Sequence, residues 1–477
     1  MKDLVVALDQ GTTGTTALVL DRELRVQGRG YAAFPQHFPE PGRVEHEPEE
    51  LWASVLAALR EATAALDPAR FAALGITNQR ETTFALDPDT KAPLHPALVW
   101  QDRRTADRCA AMKDQETAIR GATGLPLDPY FSATKAAWLR ERLGRPFAFA
   151  TVDTFLVHRL SGAYLTDPSN ASRTQLYDLH AGAWSEDLAA RFGVADVALP
   201  AIVSSSGVCA EVRGVPGLPD GLPVAGLAGD QQAALFGQGC FDAGQAKLTY
   251  GTGSFVLMNT GTRVPRSSAG LLATQAWEVQ GSRTYALEGG AFVAGALVQW
   301  LRDGLGIIHA AADIEPLARS VPDSGGVMVV PAHAGLGAPH WRPEARGTIL
   351  GLTRGTTKAH LARAALEGIA HSQADILEAM AVDLGVPLSE LRVDGGAAAN
   401  DLLLQMQADL LGIPLHRPLM LETTALGAGM LAGLGVGLWS LDDLRRAYPL
   451  DRTFSPTGDA ADVAGARARW KEAVAKA

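Results

Sequence analysis

The sequence predicts an α/β protein of two domains, and three observations support that prediction. At 477 residues the chain is longer than a single hydrophobic core normally serves. Short apolar runs of strand length alternate with segments whose apolar residues recur at helical spacing. A strand–turn–strand unit at the N-terminus, with a turn rich in glycine and threonine, has a loose counterpart at 246–258. We therefore expect two halves built on one plan, with domains at 1–240 and 241–477 and a glycine-rich hinge between them.

In the first half, apolar runs and the residues that bound them predict the elements. Acidic residues around Pro48 mark the start of a helix, and a polar turn separates the first two strands. The predicted elements are a strand at 4–8, a turn at 9–15, a strand at 17–20, a helix through Leu51, Val55, Leu59 and Ala62, strands at 72–76 and 224–227, and a helical stretch at 134–142 inside a long mixed segment.

The second half repeats the strand–turn–strand unit and adds two helices. Gly385 and Pro387 end the first of these helices, and leucine and methionine side chains line one face of the second. The predicted elements are strands at 246–250 and 255–258 around a turn at 251–254, a helix at 358–384, a strand at 391–394, a glycine turn at 395–396 and a helix at 400–411.

Charged side chains follow two of the buried strands and are the most informative feature of the chain. Asp230 and Gln231 follow the strand at 224–227, and Arg80 and Glu81 follow the strand at 72–76. Proteins of the α/β class bind ligands at the rim of the sheet where such strands end. Asp230 is able to accept a proton, and an arginine beside a glutamate is able to bracket two hydroxyl groups. Taken alone, the pair also fits a surface ion pair, and Asp230 also fits a helix N-cap.

Three turns rich in glycine have the composition of a nucleotide site. A triphosphate requires backbone N–H donors, glycines where side chains would collide, and a nearby acid for Mg²⁺. The turn after Asp9 supplies all three, the turn at 251–254 is its counterpart, and the turn at 394–400 would admit a flat base or ribose. Each turn alone also fits a purely structural connection, but together they indicate a nucleotide cleft between two domains. No Walker-type P-loop occurs, and the first turn does not match the dinucleotide-binding pattern.

Composition excludes several other classes of protein. Lysine and arginine form no tract and the formal net charge is −10, so we expect no nucleic-acid partner. Three cysteines without paired spacing indicate buried, reduced thiols. The N-terminus lacks the features of a signal peptide, and no apolar run reaches the roughly 18 residues that a membrane span needs. We therefore expect a cytoplasmic protein with no membrane partner.

Nine motifs along the chain resemble those of the FGGY carbohydrate kinase family and, within it, the enzymes that phosphorylate glycerol. The resemblance runs from Leu4 to about Trp439, with the motifs in the family's order. The motifs lie at 8–13 (LDQGTT), 75–83 (GITNQRETT), 99–105 (VWQDRRT), 128–132 (DPYFS), 170–174 (NASRT), 229–237 (GDQQAALFG), 250–253 (YGTG), 335–341 (GLGAPHW) and 393–397 (VDGGA).

The resemblance implies two actin-like, ribonuclease-H-like domains with the active site in the cleft between them. It implies transfer of the γ-phosphoryl group of ATP to a terminal hydroxyl of glycerol, with Mg²⁺ as cofactor, and a homodimer or tetramer. Asp230 resembles the catalytic base of the family, and Asp9 and Asp230 would face Mg²⁺. The residues that carry over for glycerol are Arg80, Glu81, Trp100, Tyr130, Asp230, Gln231 and Phe255. Those that carry over for the nucleotide are Gly11, Thr12, Thr13, Thr252, Gly295, Gln299, Gly396 and Asn400.

The chain departs from the family pattern in two places. Where relatives commonly have an arginine soon after the first phosphate turn, this chain has Thr16, so one stabiliser of phosphate charge is lost. The segment 212–219 does not resemble the loop through which some relatives bind fructose bisphosphate, and it offers no histidine for phosphorylation. We therefore expect neither form of control.

Two alternative functions remain open. The same fold and base would serve a kinase for another small polyol or ketose, such as dihydroxyacetone, erythritol or a pentulose. Trp100, Tyr130 and Phe255 favour a small pocket instead, although tryptophan and phenylalanine also fit an ordinary core. The other alternative is a non-catalytic, actin-like protein that binds nucleotide, and only Thr16 favours it.

Overall fold

The computed structural model describes residues 2–447 and 450–477. Within these ranges the chain forms 23 strands and 15 α-helices. The strands are β1 (Leu4–Gln10), β2 (Gly14–Leu20), β3 (Val26–Ala33), β4 (Glu45–His46), β5 (Phe71–Asn78), β6 (Phe84–Leu86), β7 (Ala97–Leu98), β8 (Ala148–Ala150), β9 (Leu165–Thr166), β10 (Tyr177–Asp178), β11 (Ala183–Trp184), β12 (Ala201–Ile202), β13 (Ser206–Glu211), β14 (Pro223–Gly229), β15 (Gln245–Tyr250), β16 (Ser254–Gly261), β17 (Leu272–Val279), β18 (Ser282–Ala291), β19 (Met328–Val330), β20 (Thr348–Leu350), β21 (Glu390–Asp394), β22 (Leu415–Pro418) and β23 (Leu450–Phe454). The helices are α1 (Pro48–Thr63), α2 (Ala106–Ala111), α3 (Glu116–Thr123), α4 (Ser132–Leu143), α5 (Val152–Ser161), α6 (Pro168–Ala171), α7 (Glu186–Phe192), α8 (Asp230–Gly237), α9 (Gly295–Asp303), α10 (Ile314–Arg319), α11 (Lys358–Leu384), α12 (Asp401–Leu411), α13 (Thr423–Gly435), α14 (Leu441–Ala447) and α15 (Ala460–Lys476).

The same five-strand arrangement occurs in both halves of the chain. In the first half, β1, β2 and β3 form antiparallel pairs in sequence, and β1 runs parallel to β5, which runs parallel to β14. In the second half, β15, β16 and β18 form antiparallel pairs, and β15 runs parallel to β21, which runs parallel to β22. The repeated plan predicted from the strand–turn–strand units is therefore confirmed.

The two half-sheets join into one sheet and enclose a layer of helices. The bridge from Ser206 in β13 to Val279 in β17 connects them. Apolar residues of α1 and α5 cover one face of the first half-sheet, and those of α11 and α12 cover one face of the second. Helices α8 and α13 share the core between the halves. The central strands β1, β5 and β14 are thus buried on both faces, as expected for strands that read as continuous apolar runs.

Helix α13 packs closely on the first-half sheet although it comes late in the chain. A Cβ atom on Gly75 in β5 would lie 2.0 Å from the carbonyl oxygen of Ala428, and one on Gly427 would lie 1.8 Å from that of Ala233 in α8. Only glycine permits such contact between backbones. The close packing fixes β5 and α8, from whose ends the charged residues project.

The parallel register brings the ends of three first-half strands side by side. Gln10 in β1 is paired with Asn78 in β5, and Asn78 is paired with Gly229 in β14. The residues that follow these strands therefore meet at one edge of the sheet. In the second half, Thr249 pairs with Asp394, which places the glycine turns after β15 and β21 next to each other.

Several element boundaries differ from the sequence-based expectation. The first turn is shorter than predicted, because Gly11 donates its N–H to the Gly14 carbonyl at 2.9 Å and Thr15 and Thr16 pair within the ladder. Helix α11 spans the predicted range, and Asn400 is the N-cap of α12 rather than its first residue. In residues 2–447 and 450–477, we find no helix with the length and apolar composition that crossing a bilayer requires.

Candidate active site

Arg80 lies just beyond β5, and its guanidinium contacts the acceptor groups of three side chains. Its Nε lies 3.0 Å from Asp230 Oδ1, and its Nη1 donates to Gln232 Oε1 at 3.2 Å. Nη1 and Nη2 donate to the two oxygens of Glu288 at 2.6 and 3.1 Å. The side chain is 3% exposed, so it is not a surface ion pair. Burial opposes its charge, but the carboxylates of Glu288 and Glu81 raise the pKa of Arg80 well above its usual value.

Glu81 has a left-handed backbone and a second arginine as its partner. Its φ of 61° is unusual for a residue other than glycine. Arg173 Nε donates to Glu81 Oε1 at 2.5 Å, and Arg173 Nη2 donates to Glu288 Oε1 at 3.1 Å. Burial raises the pKa of Glu81, although Arg173 and Arg80 oppose that effect. Glu288 accepts bonds from both arginines, which overcome its burial and lower its pKa to about 2.

Asp230 is the first residue of α8, and Gly229 is the N-cap of that helix. An acidic side chain at this position is favoured by the helix dipole. The side chain is 31% exposed, whereas that of its partner Arg80 is buried. The carboxylate therefore faces the cleft while its counter-ion lies behind it. The N-cap role considered for Asp230 is thus filled by Gly229.

Aromatic residues from both halves line a cavity of about 620 Å³, which Glu288 also lines but Arg80, Glu81 and Asp230 do not. Trp100 and Tyr130 contact each other edge to face, with ring centroids 5.6 Å apart. Phe255 enters from β16 and is 40% exposed, so it is not a core residue. Glu288 and Thr252 also line the cavity. Trp100 Nε1 donates to Thr12 Oγ1 at 3.0 Å, which links the aromatic wall to the first phosphate turn.

Gln231 receives a hydrogen bond from a buried lysine of the second half. Lys247 in β15 donates from Nζ to Gln231 Oε1 and to Thr249 Oγ1, the latter at 3.0 Å. Burial lowers the pKa of Lys247, and Asp394 is the carboxylate that most opposes the shift. The position of the Gln231 side chain therefore depends on a residue from the other half of the chain.

Asp9 and Asp230 bring two carboxyl groups to the same edge of the sheet. Burial of the carboxyl group and repulsion by Asp230 and Glu422 raise the pKa of Asp9 to about 8. Two mutually repelling carboxylates suit a divalent cation, which Mg²⁺ sites typically complete with phosphate and water oxygens. The described residues include no group of three or more His, Cys, Asp or Glu arranged to hold a metal ion.

The nucleotide-side residues of the second half cluster around the turn after β15. The N–H groups of Ala294 and Ala296 donate to the Thr252 carbonyl at 2.9 and 3.0 Å, and Gly295 donates to the Gly251 carbonyl at 3.0 Å. Gly295 begins α9, and Gln299 lies exposed one turn further along the same helix face. The start of α9 is therefore fixed against the turn.

The turn after β21 packs against the same region. Gly395 has a φ of 86°, and a Cβ on it would lie 2.3 Å from the Tyr250 carbonyl oxygen. Gly396 follows and is exposed. Asn400 caps α12, because its side chain accepts a hydrogen bond from the Leu403 N–H at 2.9 Å. Part of the hydrogen-bonding capacity of Asn400 is thus already used within the protein.

The structure brings together most of the residues selected from the sequence. Arg80, Glu81, Asp230 and Gln231 meet at one edge of the first half-sheet. Gly11 and Thr12 are partly buried at the first turn and Thr13 is exposed there. Gln299 and Asn400 stand apart from the charged group, on α9 and at the start of α12.

Glu288, Arg173 and Lys247 contact the candidate site but were given no role from the sequence. Glu288 follows the buried apolar run Tyr285, Ala286 and Leu287 in β18, and Lys247 lies between buried Ala246 and Leu248 in β15. A charged residue inside such a strand requires a partner elsewhere, and this signal was present in the sequence. Arg173 lies in the 170–174 motif and is completely buried.

Comparisons with known proteins agree with this geometry. Residues 4–237 match the N-terminal domain model of the FGGY family of carbohydrate kinases, and residues 246–436 match its C-terminal domain model. A glycerol kinase of Myxococcus xanthus is 53% identical over 492 residues, which cover 99% of this chain and 99% of that protein. A glycerol kinase of Aromatoleum aromaticum is also 53% identical, over 99% of this chain and 98% of its own. The crystal structure of Plasmodium falciparum glycerol kinase with ADP superposes with a TM-score of 0.94 at 32% identity, over 99% of this chain and 98% of that one.

Proposed function

The chain belongs to the FGGY family of carbohydrate kinases, and from that premise we propose that it phosphorylates glycerol with ATP to give sn-glycerol 3-phosphate. The relatives that carry the name glycerol kinase support the choice of substrate. The observation that carries the proposed chemistry is the contact of 3.0 Å between Arg80 Nε and Asp230 Oδ1, next to Glu288, which pairs with Arg80 and lines the aromatic cavity. This contact places Asp230, which accepts a proton, beside Arg80, which donates hydrogen bonds to the hydroxyl groups of a small polyol.

Glycerol presents three hydroxyls on a short carbon chain, and the site has groups for both parts. Arg80 donates and Glu81 accepts, so the two residues bracket adjacent hydroxyls. Trp100 and Phe255 cover the CH groups, and Tyr130 packs against Trp100. A substrate that left these buried polar groups unpaired would be rejected.

Asp230 is the general base of the proposed reaction. Its contacts with Arg80 Nε and with the Gln231 N–H both use Oδ1, so Oδ2 is the oxygen that faces an attacking hydroxyl. In a loose phosphoryl-transfer transition state the proton transfer contributes modestly, and orientation of the hydroxyl contributes more. Arg80 orients the carboxylate, because it holds the oxygen that does not accept the proton.

Asp9 and Asp230 are the residues we propose to hold Mg²⁺. The raised pKa of Asp9 supports this choice, since burial and the neighbouring carboxylates of Asp230 and Glu422 disfavour its charge in the absence of a cation. When bound, Mg²⁺ would neutralise phosphate charge and reduce its repulsion of the incoming oxygen.

The glycine turns are the proposed nucleotide contacts. Gly11, Thr12 and Thr13 offer backbone and hydroxyl donors from the first half, and Thr252, Gly295 and Gln299 lie across the cleft on the second. Gly396 and Asn400 lie at the turn proposed for the base and ribose. Closure of the halves would exclude water and prevent loss of ATP by hydrolysis.

The boundary at 240/241, the cytoplasmic location and the homo-oligomer remain predictions. Limited proteolysis tests the boundary, cell fractionation tests the location, and light scattering of the purified protein tests the assembly. The expected results are cleavage near residue 240, a cytoplasmic fraction and a dimer or tetramer. A monomer at micromolar concentration would contradict the last.

A panel of polyols tests the proposed function. ADP formation by the purified protein is measured with ATP, Mg²⁺ and equal concentrations of glycerol, dihydroxyacetone, erythritol and a pentulose. We expect the highest kcat/KM with glycerol and a phosphorylated terminal carbon in the product. Higher efficiency with a five-carbon substrate would assign the longer-polyol alternative, and nucleotide binding without any phosphorylated product would assign the non-catalytic one.

A further inference from the structure

Four buried charges form a closed ring behind the proposed glycerol site. We call Arg80, Glu81, Arg173 and Glu288 the charge ring. Arg173 joins Glu81 to Glu288 through contacts of 2.5 and 3.1 Å, and Arg80 joins Glu288 to Glu81 through contacts of 2.6 and 3.9 Å. The charges alternate around the ring and cancel. Side-chain exposure is 3% or less for all four residues.

Stability of the fold alone does not account for such a ring. Burial of four ionised groups carries a desolvation cost that apolar residues of similar volume avoid. Arg173 is also incompletely satisfied, because its buried Nη1 has no hydrogen-bond partner among the described residues. Glu81 adds the strain of a left-handed backbone. Features that cost stability and cluster at a site indicate a functional constraint.

The ring fixes the two side chains proposed to bracket the hydroxyls. Glu288 accepts from both terminal nitrogens of Arg80, a bidentate geometry that sets the plane of the guanidinium and directs Nε to Asp230. Arg173 binds Oε1 of Glu81 and so leaves Oε2 for a hydroxyl. Its guanidinium also packs 5.6 Å from the Tyr130 ring centroid.

The ring also joins the two halves of the chain. Arg80, Glu81 and Arg173 belong to the first half, and Glu288 projects from β18 of the second half into the cavity. An undocked second half would leave the two arginines repelling each other beside a single glutamate. The geometry of the hydroxyl-binding pair therefore depends on contact between the halves.

We propose that Arg173 and Glu288 are positioning residues that set the affinity for glycerol by fixing Glu81 and Arg80, and that Glu288 makes this affinity depend on docking of the two halves. The inference rests on the proposed function, because it assigns the bracketed ligand as glycerol. It adds two residues to the substrate site without placing either in contact with the reacting atoms.

Glu288→Gln and Arg173→Met test the proposal, with Glu390→Gln as the control. Glu390 pairs with Arg392 and His416 at the far end of β21, so its substitution also removes an ion-pair partner, away from the site. For each ring variant we expect KM for glycerol to rise about 10- to 100-fold, since a charge-assisted hydrogen bond is lost. KM for ATP and the thermal shift caused by ADP should stay within twofold of wild type. The control should change neither KM.

A variant with both Arg173→Met and Glu288→Gln tests whether the two residues act together through the ring or affect KM for glycerol independently. If Arg173 and Glu288 act through one ring, the rise in KM for glycerol in the double variant is smaller than the product of the single rises. Should Glu288→Gln fail to fold, Glu288→Asp is the second variant, which keeps the charge but shortens the side chain by one methylene. For this variant we expect a smaller rise in KM for glycerol, again with KM for ATP nearly unchanged.

The possible failures are distinguishable. A wild-type protein with neither glycerol turnover nor a glycerol-induced thermal shift refutes the proposed function and the inference with it. A wild-type protein that shows both, with single variants that keep wild-type KM for glycerol, refutes the inference alone. Equal rises in KM for glycerol and for ATP, accompanied by a lower melting temperature, would assign the ring a purely structural role.

Discussion

The two sides of the cleft are built in different ways. On the glycerol side, Arg80 and Glu81 are buried, and other side chains engage the guanidinium of Arg80 and Oε1 of Glu81. On the nucleotide side, Thr252, Gln299 and Gly396 are exposed, and the turns there are held by backbone hydrogen bonds. The glycerol side therefore offers its ligand charged side chains of fixed orientation, whereas the nucleotide side offers mainly backbone groups.

This difference predicts which substitutions affect which substrate. A small polyol must be distinguished by its hydroxyl pattern, which requires side chains of fixed orientation. A triphosphate is bound through many similar oxygens, which backbone N–H groups and close approach of the chain can serve. Side-chain changes should therefore alter glycerol kinetics, and changes of backbone conformation should alter nucleotide kinetics.

Arg80→Ala should give the largest separation of the two sides. The change removes a hydroxyl donor and leaves Asp230 and Glu288 without their shared partner. We expect kcat/KM for glycerol to fall about 100-fold or more while KM for ATP changes less than threefold. Arg191→Ala, which removes an exposed arginine paired with Asp187, is the control. If Arg80→Ala weakened the kinetics with ATP as much as those with glycerol, the proposed difference between the two sides of the cleft would be contradicted.

Gly395→Ala should give the converse result. The added Cβ would meet the Tyr250 carbonyl oxygen at 2.3 Å and displace the turn after β21. We expect KM for ATP to rise about tenfold with KM for glycerol unchanged, in steady-state assays that vary one substrate at a time. Gly412→Ala is the matched control, since Gly412 also has a positive φ but has open space at its Cβ position. If both variants lose ATP affinity, backbone strain rather than the clash is responsible.

Asp9→Asn should change the pH dependence of stability. The pKa of Asp9 is raised to about 8 in the fold, from an ordinary value of 3.8. The folded protein then binds more protons than the unfolded chain between these values, so this carboxyl group lowers stability as pH rises from about 4 to about 8. Without Mg²⁺, the melting temperature of the variant should exceed that of wild type by a margin that grows over this range. Parallel curves would show that the charge at Asp9 carries no such cost.

Thr16→Arg should have the smallest effect. Thr16 lies opposite Asp9 in the β1–β2 ladder, so an arginine there would approach the first phosphate turn. We expect kcat/KM for ATP to rise about two- to fivefold, because the site is partly exposed and the added charge is screened. An unchanged value would indicate that another group has replaced the missing cation.

Much of the site was readable from the sequence because its residues follow strands. Apolar runs that stop at Asp9, Asn78 and Gly229 mark strand ends, and parallel pairing brings such ends to one edge. These residues lie in motifs that resemble those of the FGGY family and follow its order along the chain, and the family match confirms the resemblance. The repeated strand plan also followed from the sequence.

The remainder depends on contacts between distant segments, which local patterns do not encode. Glu288 meets Arg80 across 208 positions of the chain, and the pairing is visible only once the two halves are folded together. The packing of α13 on the first-half sheet likewise depends on glycines in β5 and α13 that read locally as helix or strand breakers. The first turn was predicted too long because Thr15 reads as a loop residue, whereas it pairs with Gln10 in the ladder.

Asp230 is the residue on which the proposed reaction depends most directly. Its replacement by asparagine keeps the shape of the side chain and removes the proton acceptor. In a glycerol-dependent ADP assay, we expect kcat to fall about 100-fold or more, with glycerol- and ADP-induced thermal shifts retained. Full turnover by Asp230→Asn would contradict the assignment of the base.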